Sequence, residues 1–362
     1  MDRRNFLKTA GLVSGATAAS TLAAPAYAQG KRTLKMVTCW PKNFPGLGTG
    51  AQRIADNLGA LTDGRITVKL YSAGELVPAY EAYDAVMNGT ADLYHASEYF
   101  FVGKSKALAF FTTVPMGMTA AEFNSWIYHE GGQELWDELA AKFNIKSFAC
   151  GNTGAQMGGW FNKEITSVED LKGLKMRIPG IGGEVLRRLG GSAVSLPGGE
   201  IFQALQTGAI DATEFVGPWN DLALGFYKVA KFYYYPGFHE PSGGISLGIN
   251  LDLFNDLSKA DQAMLKTACL AEDNLLTTEF NARNGAALEQ LVNKHHVQLK
   301  RYPQDVYDEI GRVCEEVVAE FGAEDELSGR IYQSYLKARK NVGDWLRITE
   351  RPFMEGRDRI LG

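Results

Sequence analysis

Apolar positions recur along this chain in two alternating rhythms. Residues 33–39, 66–71 and 91–96 are short runs with period-two or continuous apolar character and predict strands. Between them, residues 49–61 and 79–87 repeat every three to four positions and predict helices. That order favours an α/β sheet. A second βα run begins near 145–150 and passes through 174–178, 193–196, 212–215 and the aromatic-rich 232–235. Residues 85–92 and 204–211 echo each other: a helical run stops at Gly89 or Gly208, and an aspartate, Asp92 or Asp211, leads into a short strand. Two lobes of similar βα construction would produce that echo. After the Gly/Pro-rich stretch 236–244, residues 245–250 alternate again and are expected to rejoin the first sheet, making a hinge.

Residues 259–300 hold no proline and a single glycine, Gly285. They predict one long helix that braces both lobes, with a break near that glycine. Residues 304–321 and 324–346 are also helical by pattern, with Gly322 between them. The last helix carries Ile331, Tyr332, Tyr335, Leu336, Val342, Trp345 and Leu346. It packs on its own domain or reaches another subunit. The expected organisation is a leader at 1–28, lobe 1 at 29–150 with about 245–258, and lobe 2 at 151–244 with about 300–323. The bracing helix covers 259–299, and a C-terminal helical extension covers 324–362.

The N-terminus changes the picture of compartment. Arg3, Arg4 and Lys8 precede an Ala/Gly-rich apolar stretch ending in Ala26-Tyr27-Ala28, the pattern of a cleaved signal peptide. Arg3-Arg4 followed by Asn5-Phe6-Leu7-Lys8 fits a twin-arginine signal, with Asp2 where Ser or Thr is usual. No later segment keeps about 18 consecutive apolar residues. Of 37 basic and 42 acidic residues, 34 and 41 lie beyond residue 28, a formal charge of −7, which disfavours a nucleic-acid partner. Cys39, Cys150, Cys269 and Cys314 form no CxxC pair and read as core thiols.

Catalytic motifs are not supported. The five histidines never stand at the i, i+4 spacing of a zinc-binding helix, and Gly103-Lys104-Ser105 lacks the earlier glycine of a phosphate loop. Gly46-Leu47-Gly48-Thr49-Gly50-Ala51 fits GxGxxA, but residues 41–45 lengthen the turn that a dinucleotide site needs short. No GxSxG elbow occurs. An enzyme is therefore not expected.

One segment does carry chemistry. Residues 171–179 place Arg177 on a short strand just before Pro179-Gly180, where its forked guanidinium can face a cleft and hold a carboxylate through two hydrogen bonds. With 200–212 and Glu214, that segment resembles the substrate-binding receptors of tripartite ATP-independent periplasmic (TRAP) transporters, over nearly the whole chain beyond residue 28. The resemblance implies a two-lobe periplasmic binding protein fold of α/β class with a long bracing helix, and assigns the ligand carboxylate to Arg177.

Residues 151–156, 214–220 and 237–240 are similar to the branch that binds 2-oxo and 2-hydroxy monocarboxylates, such as pyruvate, with a metal ion. This implies substrate contacts from Gln156, Arg177, Phe215, Glu240 and Tyr99, and metal contacts from Gln156, Glu214, Phe215 and Glu240. In that branch Trp can stand at the position of Phe215; if the main-chain carbonyl is the ligand there, the change need not abolish the site. The amide oxygen and carboxylates suit Na⁺ or Ca²⁺, and both ions stay open. Tyr99, Phe100, Phe101, Trp40 and Trp219 are candidates for an apolar wall, with core packing as their ordinary role. The implied partners are the transporter's membrane subunits and a second copy joined through the C-terminal helix. A metal-independent receptor for a dicarboxylate or sugar acid, or an exported cofactor-dependent enzyme, are the alternatives.

Overall fold

The computed structural model describes residues 30–361, so the expected leader lies outside the described residues. Eleven strands occur among them: β1 (Arg32–Thr38), β2 (Ile66–Tyr71), β3 (Leu93–Ala96), β4 (Ile145–Asn152), β5 (Gly159–Phe161), β6 (Lys175–Arg177), β7 (Ser192–Val194), β8 (Ala212–Thr213), β9 (Phe232–Tyr235), β10 (Gly244–Asn250) and β11 (Gln298–Arg301). They form two sheets, ordered β2-β1-β3-β10-β4 in lobe 1 and β11-β9-β5-β8-β6-β7 in lobe 2. β1 is parallel to β2 and β3, whereas β10 returns antiparallel between β3 and β4. The chain therefore leaves lobe 1 between β4 and β5 and comes back between β9 and β10.

The sequence echo is a structural repeat. Gly89 and Gly208 take φ values of 74° and 73°, which a side chain would resist. Asp92 N donates to Lys35 O (2.9 Å) and its carboxylate accepts from Lys35 N (2.6 Å). Asp211 repeats both bonds with Lys175, at 2.7 and 3.1 Å. Each lobe thus uses one aspartate to fasten a helix–strand turn to its neighbouring strand.

The long helix spans Lys259–Glu289 and runs on through a wider turn, Gln290–Lys294. Ser258 caps it by accepting from Asp261 N at 3.1 Å. Gly285 is helical and interrupts nothing. The helix ends earlier than the expected residue 299, because Gln298–Arg301 pairs in parallel with β9 after a left-handed residue, His296. It packs on β4, on helix Leu47–Leu61 of lobe 1 and on helix Pro218–Leu224 of lobe 2. Its buried acids anchor it: Glu272 takes Arg53, Asp261 takes Arg65, and Asp273 accepts from Tyr128 Oη, Asn124 Nδ2 and Gly151 N.

Helix Gln304–Gly322 packs on helix Gly180–Arg188 of lobe 2. Helix Glu326–Ile348 packs on lobe 1 through buried Ile331 and Tyr335, whose hydroxyl accepts from Met118 N at 2.7 Å. A further helix, Glu350–Leu361, buries no residue. All four cysteines are buried free thiols.

Candidate functional site

β6 and β8 run side by side with Arg177 opposite Thr213, and this register delivers Arg177 beside Glu214. Arg177 Nε donates to Leu196 O at 3.1 Å, and Nη1 donates to Glu214 O at 3.0 Å and to Glu214 Oε1 at 2.6 Å. Neither side chain is more than 1% exposed. The second Glu214 oxygen lies 3.1 Å from His239 Nε2. Burial pulls the Arg177 guanidinium down most strongly, but the Glu214 charge together with Tyr80 and Tyr99 outweighs it and holds the cation above its usual range.

The two crossing segments are hydrogen-bonded to each other. Gln156 N donates to Glu240 O and Thr153 N to Gly243 O, both at 3.0 Å. Gln156 Nε2 then donates to Glu240 Oε2 at 2.7 Å and to Thr153 Oγ1 at 2.9 Å. Gly243 makes room for this cluster, since a Cβ there would lie 2.5 Å from Thr153 Oγ1 and 2.7 Å from Gln156 Nε2.

Around these groups closes a cavity of about 10 Å³. Trp40, Leu47, Tyr99 and Phe100 face it from lobe 1, Phe215 and Val216 from lobe 2, and Thr153, Gln156, Glu240 and Ile245 from the crossings. The lobes meet at its edge, where the Tyr80 and Ser195 hydroxyls lie 3.4 Å apart. Arg177 sits with its guanidinium carbon 5.4 Å from the centre of the Phe215 ring. The structure so brings together all the residues expected to bind ligand or metal: Tyr99, Gln156, Arg177, Glu214, Phe215 and Glu240. Trp219 lies elsewhere, packed against Phe280, and Phe101 belongs to the lobe 1 core with Tyr83 and Tyr94.

The donor set fits a hard cation. Glu214, His239 and Glu240 offer ligand atoms within 4.8 Å of one another, all buried. Gln156 Oε1 is buried without a hydrogen-bond partner, an acceptor that a cation would satisfy. Burial, reinforced by the Glu214 charge, pushes the Glu240 carboxyl well above its usual range, with Arg177 and Tyr99 opposing. Two buried carboxylates side by side favour a positive charge between them.

Sequence reasoning missed His239, Thr153 and Gly243. His239 adjoins Glu240 in the Gly/Pro-rich crossing, and that adjacency was the signal available.

The family model described as bacterial extracellular solute-binding protein, family 7, matches residues 36–325. The chain belongs to this family. It is 41% identical over 359 residues to a monocarboxylate 2-oxoacid-binding periplasmic protein of Nostoc sp., covering 98% of each chain. A TRAP transporter solute-binding protein of Bordetella bronchiseptica superposes with a TM-score of 0.90 at 36% identity, covering 92% of this chain and 98% of that one. That structure is a dimer of mixed occupancy, with copurified calcium and picolinate in one site. A TRAP periplasmic solute-binding protein of Pseudoalteromonas atlantica with bound sodium and pyruvate gives 0.87 at 37% identity, covering 90% and 99%. As a family 7 protein, the chain is a solute receptor of a TRAP transporter and not an enzyme.

Proposed function

We propose that this receptor binds a small 2-oxo or 2-hydroxy monocarboxylate of the pyruvate kind together with Na⁺ or Ca²⁺ between its lobes, and presents it to the transporter's membrane subunits. The unpartnered Gln156 Oε1, buried beside Glu214 and Glu240, carries the reading: a hard oxygen donor that costs stability unless an ion meets it. A relative that holds sodium with pyruvate supports the choice of ligand, and one that holds calcium supports the choice of ion. The cation supplies the charge that lets two carboxylates and an anionic ligand share one dry cavity.

The chain's own residues do the rest. Arg177, with Nε and Nη1 committed to lobe 2, orients the ligand carboxylate, and Tyr99 covers it from lobe 1. Gln156, Glu214, Glu240 and the Phe215 carbonyl hold the ion. With only about 10 Å³ between closed walls, loading requires the lobes to part about the paired crossings at Thr153 and Gly243. Closure then excludes water, and the closed shape is the form the membrane subunits read. Arg177, beside the lining residue Phe215, is the basic group set against the ligand, and no residue lining the cavity adds a second one, which favours one carboxylate over two.

The proposal includes export to the periplasm by the twin-arginine route, which the Arg3-Arg4 pair supports. Homodimerisation through the exposed C-terminal helix is part of the same proposal.

Titration calorimetry of metal-stripped protein with pyruvate, with and without Na⁺ or Ca²⁺ and alongside Arg177→Ala, tests it. Cation-dependent binding that disappears in the variant is expected. Binding that ignores both the cation and the substitution would overturn the site assignment.

A further inference from the structure

The cavity has two unlike halves. Thr153, Gln156 and Glu240 make the polar half, whereas Trp40, Leu47, Phe100, Phe215 and Ile245 make the apolar one. Trp40 is the largest member of that apolar half, and it is immobilised. It follows β1 and is 3% exposed, its N–H donates to Thr38 Oγ1 at 3.3 Å, and its carbonyl accepts from Ala73 N at 3.0 Å. Its indole N–H donates to His95 Nδ1 at 2.9 Å, and His95, on the adjacent strand β3, is fully buried. Phe100 leans on the indole with ring centres 6.0 Å apart, and Tyr80 stacks on Phe100 at 4.6 Å.

The state of His95 is dictated by this contact. Accepting through Nδ1 requires a neutral ring with its proton on Nε2. Burial supplies the neutrality, pulling the imidazole down to about 3. Nε2 has no hydrogen-bond partner among the described residues, and a buried donor left unmet destabilises the fold. The pair therefore gives up stability to keep one indole in one orientation, over a cavity with room for about one water molecule. Leu47 and Ile245 can change rotamer to admit a ligand. Trp40 cannot do so without breaking its bond to His95.

We propose that Trp40, held by His95, is the wall that limits the carbon chain of the ligand, so that the site selects three- and four-carbon 2-oxoacids over longer, branched ones. Every methylene beyond that limit must displace a fixed ring in a packed wall. His95 is the positioning residue; it acts only through the indole. The inference rests on the receptor reading above and names the size of its substrate.

The test is calorimetry on the calcium-loaded protein, with pyruvate and 4-methyl-2-oxopentanoate as the two probes. Wild type is expected to favour pyruvate by about 100-fold or more, since one methylene in a fixed apolar pocket is worth roughly 10- to 200-fold. Trp40→Leu should narrow that ratio by about tenfold or more, through a gain for the longer acid. His95→Leu, which frees the indole without touching the cavity, should narrow it as well. His95→Asn keeps an acceptor near the Nδ1 position and should keep the ratio within roughly threefold of wild type. If Trp40→Leu does not fold, the two His95 variants carry the test. A wild-type ratio near one, or an unchanged ratio in His95→Leu, overturns the inference while leaving cation-dependent pyruvate binding intact. Failure of wild type to bind either acid with any cation would instead remove the receptor reading itself.

Discussion

Arg177 and Glu214 form an ion pair at 2.6 Å in which neither side chain meets solvent. Removing one partner leaves the other charge buried and uncompensated, a loss of about 3–5 kcal/mol. Glu214→Gln is therefore expected to lower the unfolding free energy of the metal-free protein by that amount, read from its urea midpoint. It should also weaken the cation dependence of acid binding. A variant as stable as wild type would mean that the pair is solvated in solution.

The lobes and the arginine were legible in the sequence because their signals are local. The turns at Gly89-Asp92 and Gly208-Asp211 are built from consecutive residues, and both recur as aspartate-fastened turns. β5 and β11 were not legible: each is defined by the partner it meets, here β9, and not by its own pattern. The same applies to the site. Arg177 stands out by its motif, whereas His239 gains meaning only when folding sets it against Glu214, and Trp40 only when His95 fixes it.

Gly243 is a tight point of the hinge. An added Cβ would meet Thr153 Oγ1, Gln156 Nε2 and Glu240 Oε2 at 2.5–2.9 Å. Gly243→Ala should cost about 1–3 kcal/mol of stability by overpacking, and should weaken acid binding by more than roughly tenfold as Gln156 is displaced. Gly285→Ala is the control, because its Cβ meets nothing within 4 Å in the exposed face of the long helix. There alanine should stabilise by about 1 kcal/mol. Thermal unfolding and calorimetry of both variants separate the two effects, and equal acid affinity in Gly243→Ala would remove the hinge cluster from the site.

Truncation before residue 350 tests the C-terminal helix. Helix Glu350–Leu361 buries nothing, and Trp345, Ile348, Phe353 and Ile360 are each more than 60% exposed. Such a face is expected to find a second copy of the chain. Deleting 350–361 should reduce the mass in multi-angle light scattering to that of one chain, with acid binding retained. A truncated protein that keeps the mass of a dimer would place the interface elsewhere.

Glu98 gives the fold a pH dependence whose sign can be worked out. Burial lifts its carboxyl from 4.5 to about 7, against hydrogen bonds that include Tyr94 Oη at 2.6 Å. Between those two values the unfolded chain ionises while the native protein keeps its proton. The native state then binds more protons, so stability falls as pH rises through the window and levels off above about 7. The shift corresponds to about 3 kcal/mol. Asp221, lifted by burial to about 7, and Asp273, lifted by burial to about 6, act in the same direction. Wild type should accordingly unfold at lower urea at pH 8 than at pH 5.5. Glu98→Gln, neutral at every pH, should be the more stable protein at pH 8 and should show a shallower decline between the two. A decline as steep in Glu98→Gln as in wild type would mean that Glu98 titrates normally in the folded protein, with water reaching a carboxyl that the fold otherwise encloses.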